Sequence, residues 1–251
     1  MAAQQPEQAR GDGRPPYPAG VPSKFAPSGA VQPFPGNTIL IHLAASDPVF
    51  ASLESLGAAL ASSRFSSSVA LLPPSSYHMT VFEGVCDQVR QPGYWPADLP
   101  LDTPLQECTS HLEEKLSGLR LRDGDAPRPP PYDMAIAGFD PLDVGISLRL
   151  EGRAPSVTER LRGLRGRLAA ALQIRHPIHD EYGFHISVAY LLRHLDDAEK
   201  RELEALLSAF FTGMPKTLAL GAPEFCVFGD MFAFERRFHL GSIEEASASQ
   251  T

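Results

Sequence analysis

The chain has 251 residues, of which 43% are hydrophobic, so its length allows one large domain or two small lobes with a sizeable core. Its 22 Lys and Arg residues against 30 Asp and Glu residues give a formal net charge of −8. That charge argues against a protein that coats long nucleic acid by neutralising phosphates. No segment resembles a signal peptide or a membrane span, and three cysteines without CxxC spacing suggest neither a disulfide framework nor a thiolate zinc site. We therefore expect a cytoplasmic protein without membrane association.

The two ends of the chain have compositions that disfavour a packed core. Residues 1–36 contain eight prolines and five glycines, which predicts an extended or disordered arm. Three aromatic residues in this arm, Tyr17, Phe25 and Phe34, are able to pin parts of it onto the domain. Residues 242–251 predict a flexible tail, and residues 37–241 remain as the folded domain.

The first half of the domain alternates strand and helix patterns. Three strands are predicted there, at residues 37–43, 68–72 and 77–83. Asp47 and Pro48 predict the N-cap and first-turn proline of a helix that ends near Arg64. A second helix is predicted to begin at Thr103, with Gln106 completing a capping-box pattern.

The second half repeats this alternation after a proline-rich loop predicted at residues 123–131. Its strands are predicted at residues 134–139, 144–150 and 184–191. Capping-box patterns start two helices, Ser156 with Glu159 and Asp196 with Glu199. The first of these helices carries four arginines that predict a solvated face, Arg160, Arg162, Arg165 and Arg167. Near the end of the chain, Gly229 and Asp230 predict a two-residue hairpin turn.

An internal repeat relates the two halves. A shift of 107 residues without a gap places Leu43 on Leu150, Pro48 on Pro155 and His78 on His185. The matches fall at equivalent points of one strand, helix, strand order, and the period is too long for a solenoid. The repeat predicts an α+β fold of two antiparallel-sheet lobes, related by a pseudo-twofold axis, with flanking helices around a central cleft.

Two of the predicted strands carry the same pattern of apolar, His, apolar, hydroxyl and apolar residues. Because side chains alternate across a strand, His78 and Thr80 share one face of the first strand. His185 and Ser187 share the corresponding face of the second. If both polar faces line one cleft, two imidazoles and two hydroxyls converge on a space the size of a phosphate.

Such a set of side chains suits the cleavage of a phosphodiester without a metal. A neutral imidazole takes a proton from water or a ribose hydroxyl, and the opposite imidazolium donates one to the leaving oxygen. An ordinary imidazole pKa of about 6.5 lets both states coexist near neutrality. The hydroxyls hold the nonbridging oxygens, where hydrogen bonds stabilise the charge that builds up during the reaction.

The HMTV string that begins at His78 and the HISV string that begins at His185 resemble the paired HxTx or HxSx motifs of the two-histidine (2H) phosphoesterase superfamily. The likeness spans about residues 37–240. The longer sequence strings around the two motifs are similar to a largely uncharacterised branch of this superfamily. It implies a bilobal α+β fold, no metal or other cofactor, and hydrolysis or formation of 2′,3′-cyclic, 2′,5′ or related phosphodiesters. It also implies catalytic roles for His78, Thr80, His185 and Ser187.

Four further residues are candidates for substrate binding. His42 and Arg149 each lie 36 residues before a motif histidine, at the polar-facing phase of the preceding strand. Each is either a phosphate contact or an edge residue that faces solvent. Phe82 continues the face of the first motif, so it either stacks on a base or belongs to the core. Tyr182, just before the second motif, is a candidate for the cleft rim.

We expect a monomeric, metal-independent cyclic phosphodiesterase that acts on a small nucleotide or an RNA end, and not on long duplex nucleic acid. One alternative is a noncatalytic nucleotide-binding module on the same fold. Another is an RNA 2′,5′-phosphodiester ligase or hydrolase. A third is a metal hydrolase built on the HxxHx5H set of His176, His179 and His185.

Overall fold

The computed structural model describes residues 14–117, 119 and 131–241, so the predicted tail and most of the predicted proline-rich loop lie outside the described residues. The strands are β1 Gly36–His42, β2 Val69–Leu71, β3 His78–Cys86, β4 Tyr132–Phe139, β5 Gly145–Gly152, β6 Phe184–Leu191, β7 Thr217–Leu220, β8 Glu224–Phe228 and β9 Glu235–His239. The helices are α1 Pro48–Ser62, α2 Leu105–Ser117, α3 Pro155–Leu172 and α4 Asp197–Gly213, with a short 3-10 helix at Pro74–Ser76. In these ranges no helix has the length and apolar character needed to cross a bilayer.

These strands form one curled antiparallel sheet in the order β7-β4-β5-β6-β3-β1-β8-β9, with β2 paired to β6. The order is symmetric about its centre, where β3 meets β6, and β1 and β5 flank this pair. The units β1-α1-β3 and β5-α3-β6 therefore occupy equivalent positions, which confirms the predicted α+β fold of two related halves. The two halves share a single sheet because β3 and β6 are hydrogen-bonded to each other.

Two of the predicted helix starts are present. The Asp47 carboxylate caps α1 by accepting a hydrogen bond of 2.8 Å from the backbone N–H of Val49. Asp196 and Glu199 form the predicted capping box of α4. Helices α1 and α3 then bury apolar stripes in the core, Val49, Leu53, Leu56 and Leu60 in α1 and Val157, Leu161, Leu164, Leu168 and Leu172 in α3. These stripes hold the two helices against the sheet.

Two other helix starts differ from the prediction. Helix α3 begins at Pro155, and the N-cap position is occupied by Ala154, so the predicted cap at Ser156 is wrong. Proline suits the first helical position because its φ is already helical and its missing N–H needs no partner there. In α2 the carbonyl of Pro104 accepts the first helical hydrogen bond, which places Pro104 at the N-cap instead of Thr103.

The predicted solvated face of α3 is wrong at Arg165, whose side chain is fully buried. This residue lies on the apolar stripe of the helix, where α3 packs against β3. Its guanidinium donates hydrogen bonds of 2.7, 2.9 and 3.1 Å to the Val81 carbonyl, the Glu83 carboxylate and the His179 carbonyl. These bonds and the ion pair with Glu83 accommodate the charge in the core, and only Nε of the guanidinium lacks a hydrogen-bond partner among the described residues.

The described part of the arm, residues 14–35, folds back on the body and is not extended. Val21, Phe25 and Phe34 are all buried, and Phe25 forms an isolated β-bridge with Val31. The apolar side chains offset the entropy cost of ordering this proline-rich segment. The folded body consequently begins well before the predicted boundary at residue 37.

The connection between β8 and β9 spans residues 229–234, so the predicted two-residue turn is wrong. The Asp230 carboxylate accepts a 2.7 Å hydrogen bond from the Phe232 N–H, which makes an Asx-type turn. Met231 is buried, and both Phe232 and Phe234 pack against the core. The longer connection allows these apolar side chains to reach the body.

Candidate active site

The two motif strands meet at one residue pair, Met79 in β3 and Ile186 in β6, and both side chains are fully buried. If this antiparallel register is continued by one residue on each side, His78 lies opposite Ser187, and Thr80 lies opposite His185. Opposed residues have Cβ atoms about 4.5–5.5 Å apart, and diagonal neighbours such as the two histidines about 7–8 Å. Each half of the protein therefore supplies a histidine that faces the hydroxyl of the other half.

The same backbone contact orients both histidine rings. His78 Nδ1 lies 2.7 Å from the carbonyl oxygen of Ser76, and His185 Nδ1 lies 3.0 Å from that of Gly183. A carbonyl only accepts hydrogen bonds, so Nδ1 carries the proton in each ring. In the neutral form of either ring Nε2 is then the nitrogen that accepts a proton. The two contacts lie at equivalent positions of the repeat, so the two histidines related by the pseudo-twofold axis have the same tautomer.

The surroundings of His78 favour its neutral form. Burial is the main reason that the pKa of His78 is lowered to about 4, and the bond to the Ser76 carbonyl opposes this shift. The positive charges of His42, His185 and Lys24 lower the pKa further. At neutral pH, His78 is thus an uncharged imidazole that is ready to accept a proton.

The two motif hydroxyls are each held by a neighbour. Ser187 Oγ lies 3.2 Å from Ser147 Oγ in β5. Thr80 interacts through its side-chain hydroxyl with the hydroxyl of Tyr182. Burial, together with the charge of Glu83, raises the pKa of Tyr182 above its ordinary value, so its hydroxyl stays protonated. Both motif hydroxyls are consequently positioned before any substrate arrives.

His42 lies beside the first motif histidine. It is paired with His78 between β1 and β3, and the centroids of the two rings are 6.3 Å apart. Its Nδ1 is 2.9 Å from a carboxylate oxygen of Glu224, which is buried. Although burial alone raises the pKa of Glu224, the hydrogen bond and charge of His42 hold it below its ordinary value. A carboxylate at this position orients the His42 ring.

Arg149 and Tyr182 lie beside the second motif histidine. Arg149 is paired with His185 between β5 and β6, and its exposed guanidinium donates a 3.1 Å hydrogen bond to the Ala137 carbonyl. The Tyr182 ring lies 6.1 Å from the His185 ring but is buried. Arg149 thus lies beside His185 on the neighbouring strand, with its side chain exposed, whereas the buried Tyr182 contacts Thr80 through its hydroxyl.

Phe82 does not line the cleft, so the suggestion that it stacks on a base is wrong. Leu40 pairs with Thr80 but Ile39 pairs with Phe82, which shows a β-bulge that inserts one extra residue, Val81, into β3. The bulge reverses the alternation of faces beyond Thr80, and the Phe82 ring is fully buried.

His176 and His179 lie on the core side of β3, away from the face that carries His185. Their rings are 6.4 and 6.0 Å from the Phe82 ring. His176 Nε2 donates a 2.9 Å hydrogen bond to the Gly84 carbonyl. The predicted alternative of a metal hydrolase built on these residues with His185 is therefore wrong, because the fold does not bring the three rings together.

A family model named 2H-phosphodiest, described as a domain of unknown function (DUF1868), matches residues 24–144. The match covers the first histidine motif, and the structure sets a second motif of the same form beside it. The match and the paired motifs support the predicted resemblance to the two-histidine phosphoesterase superfamily. A phosphoesterase activity fits this resemblance, which does not name the substrate.

Several solved structures resemble this chain. A conserved protein of unknown function from Agrobacterium tumefaciens str. C58 is 27% identical, with a TM-score of 0.81 over 92% of this chain and 96% of the other. The Thermus thermophilus protein TT0787 is 15% identical, with a TM-score of 0.43 over 82% and 98% of the two chains. E. coli LigT complexed with ATP is 13% identical, with a TM-score of 0.42 over 83% and 99%. No curated protein matches the chain significantly.

One group of potential metal ligands occurs in the described part of this chain. The ligand atoms of His42, Glu224 and Cys226 all lie within 4.8 Å of one another. Burial raises the pKa of the Cys226 thiol to about 12, so it is protonated, and the Arg236 guanidinium lies 3.5 Å from the Glu224 carboxylate. These neighbours favour a hydrogen-bonded pair of His42 and Glu224 over a set of metal ligands.

Three residues near His78 were not predicted from the sequence. The Phe234 ring lies 4.3 Å from the His78 ring, Glu224 bonds to His42, and the charge of Lys24 reaches His78. Glu224 and Phe234 belong to the last part of the chain, and no local sequence pattern links them to the two histidine motifs. For Lys24 the sequence contains an indication that it lies near the folded domain, because it directly precedes Phe25, one of the aromatic residues expected to pin the arm.

Proposed function

We propose that this protein is a metal-independent phosphodiesterase that opens a cyclic phosphate, with the 2′,3′-cyclic phosphate of a small nucleotide or an RNA end as the leading substrate. The observation that supports this most strongly is the pairing of Met79 with Ile186. If this register is continued by one residue on each side, two histidines and two hydroxyls lie next to each other on one face of the sheet, which supports their joint action on one phosphoryl group.

The proposed reaction needs one proton acceptor and one proton donor. His78 fits the acceptor, because burial keeps its ring neutral and Nε2 is the nitrogen without a proton. As the oxygen of a water molecule attacks phosphorus, His78 Nε2 takes the proton of that water. His185, in its protonated form, donates the Nε2 proton to the departing ribose oxygen as the P–O bond breaks. The product is a phosphomonoester, and proton exchange with solvent restores both rings.

Thr80 and Ser187 donate hydrogen bonds to the nonbridging phosphate oxygens in this proposal. Their neighbours Tyr182 and Ser147 hold the two hydroxyls before the substrate binds, so little reorganisation is needed. Arg149 extends the site beyond His185 and suits a further contact with a phosphate oxygen. The net charge of −8 favours a small substrate or a chain end over long nucleic acid.

The experiment is a substrate panel followed by phosphorus NMR, with 2′,3′-cyclic mononucleotides, 3′,5′-cyclic mononucleotides and 2′,5′-linked dinucleotides. The wild type should convert the 2′,3′-cyclic compounds to monophosphates and keep this activity in EDTA. A variant with both His78→Ala and His185→Ala should be inactive. The matched control is His111→Ala, because His111 bonds to Asp98 on the surface, away from the motifs. If the wild type binds these compounds but forms no product in long incubations, the protein is a binding module and the proposal is wrong.

A further inference from the structure

The part of the arm that contains Lys24 is rigidly held. The Lys24 N–H donates a 2.7 Å hydrogen bond to the Gly20 carbonyl, and the Lys24 carbonyl accepts one of 2.8 Å from the Gln32 N–H. Gly20 has a φ of +101°, and a Cβ atom there would lie 3.1 Å from the ring of Tyr190. This turn therefore requires glycine and brings the arm against β6.

The side chain of Lys24 extends over the cleft face of the sheet. Its Nζ donates a 3.2 Å hydrogen bond to the Tyr190 hydroxyl and lies 5.1 and 5.3 Å from the ring centroids of Tyr190 and Phe34. No carboxylate of the described residues forms an ion pair with this ammonium. Among the residues described, only aromatic rings and a hydroxyl contact the ammonium, so it remains available to bind an anion.

Tyr190 belongs to the same face as the second motif. Ser147 pairs with Ser187 but Ile146 pairs with Ala189, so β6 contains a bulge between Ser187 and Ala189. This bulge shifts the alternation by one residue and turns Tyr190 to the face of Ser187. Lys24 therefore reaches the cleft from the arm, next to the end of the strand that carries the second motif.

Lys24 is also close enough to the first motif for its charge to act on His78, where it disfavours the protonated ring. A half-buried cation without an anionic partner beside a site for phosphate is a favourable place for a phosphate oxygen. We propose that Lys24, with the Tyr190 hydroxyl beside it, binds the phosphate of the substrate, so that the arm supplies a binding residue to the cleft. This inference rests on the proposed function for the identity of the ligand.

The test uses the full chain and measures the binding of inorganic phosphate by calorimetry, which needs no turnover. Lys24→Met should weaken phosphate binding roughly tenfold, as expected for the loss of a charged hydrogen bond. Lys24→Arg should restore most of the affinity, and Tyr190→Phe should weaken binding by a smaller factor. The matched control is Lys216→Met, because Lys216 also lies over an aromatic ring, that of Phe211, but outside the cleft.

A second measurement is independent of affinity. Because the charge of Lys24 lowers the pKa of His78, Lys24→Met should move the NMR titration of His78 to higher pH. The inference is overturned if Lys24→Met binds phosphate as the wild type does, or if the wild type binds no phosphate. Weakened phosphate binding in Lys24→Met supports it even if no cyclic phosphate is hydrolysed, in which case only the proposed function fails.

Discussion

His42 is paired with His78 between β1 and β3, and the two ring centroids are 6.3 Å apart. The equivalent pair in the other half is Arg149 with His185. The two halves thus share their backbone arrangement and their histidine tautomers, but they differ in the charged side chain that lies beside the motif histidine. A histidine whose ring is kept neutral beside an imidazole is suited to a different task from a histidine beside a guanidinium. We therefore expect unequal roles for His78 and His185.

The pH profile should show the role of His78. Burial, aided by three positive neighbours, lowers its pKa to about 4, so the ring stays neutral until the pH falls through that value. A base must be unprotonated, so kcat/KM on a 2′,3′-cyclic mononucleotide should hold on acidification and be lost only near pH 4. An acid limb centred near 6.5, the ordinary histidine value, would contradict the assignment.

The motif hydroxyls should affect the chemical step. Thr80→Ala and Ser187→Ala should each lower kcat about 10–100-fold, because each removes a hydrogen bond to a charged phosphate oxygen. Thr80→Ser should recover most of the activity, since it keeps the hydroxyl. Ser55→Ala is the matched control, because Ser55 bonds to a carbonyl of its own helix. Steady-state kinetics on one substrate decides this, and losses confined to KM would count against a role in the transition state.

Much of the fold follows from the sequence, because the 107-residue repeat and the two motif strands are local patterns. Strand β6 coincides with the predicted residues 184–191, and α1 begins at the predicted Pro48. Phe82 was placed on the wrong face as a stacking candidate because a bulge reverses the alternation, and periodicity alone cannot reveal an inserted residue. The sequence-based prediction of the residues that line the site is therefore wrong beyond Thr80.

Other features depend on contacts between distant segments. The sequence predicts Arg165 in solvent because charged residues are usually exposed, but its two terminal nitrogens bond in the core to partners from β3 and from the segment before β6. The arm was expected to be extended because its composition is poor in apolar residues. Only tertiary packing of Phe25 and Phe34 shows that Lys24 reaches the cleft.

The buried arginine should be important for stability. Arg165→Met should lower the free energy of unfolding by about 3–5 kcal/mol, because it leaves the largely buried Glu83 carboxylate without its partner. Arg167→Met on the same helix is the matched control and should change stability by less than about 0.5 kcal/mol, since Arg167 is exposed. Urea unfolding measures both, and equal stabilities would contradict the buried network.

A second bulge in β3, between Phe82 and Val85, should depend on glycine. Gly84 has a φ of +65°, and a Cβ atom there would lie 2.2 Å from the Asn37 carbonyl oxygen. Gly84→Ala should therefore destabilise the protein by more than about 2 kcal/mol. Gly166→Ala in α3 meets nothing within 4 Å and should stabilise the protein by about 0.5–1 kcal/mol. Thermal unfolding measures both variants, and midpoints that shift in the same direction would contradict the role of Gly84 in this second bulge.

The central claim is that His78 and His185 act together on one phosphate, and a double-mutant cycle tests it most directly. The rate kcat is measured on a 2′,3′-cyclic mononucleotide for the wild type, His78→Ala, His185→Ala and the double variant, all shown to be folded by circular dichroism. Each single variant should lose about 10²–10⁴-fold, and the double variant should be no slower than the slower single, because the two proton transfers serve one step. Losses that multiply in the double variant, or a single variant within about tenfold of the wild type, would contradict the account.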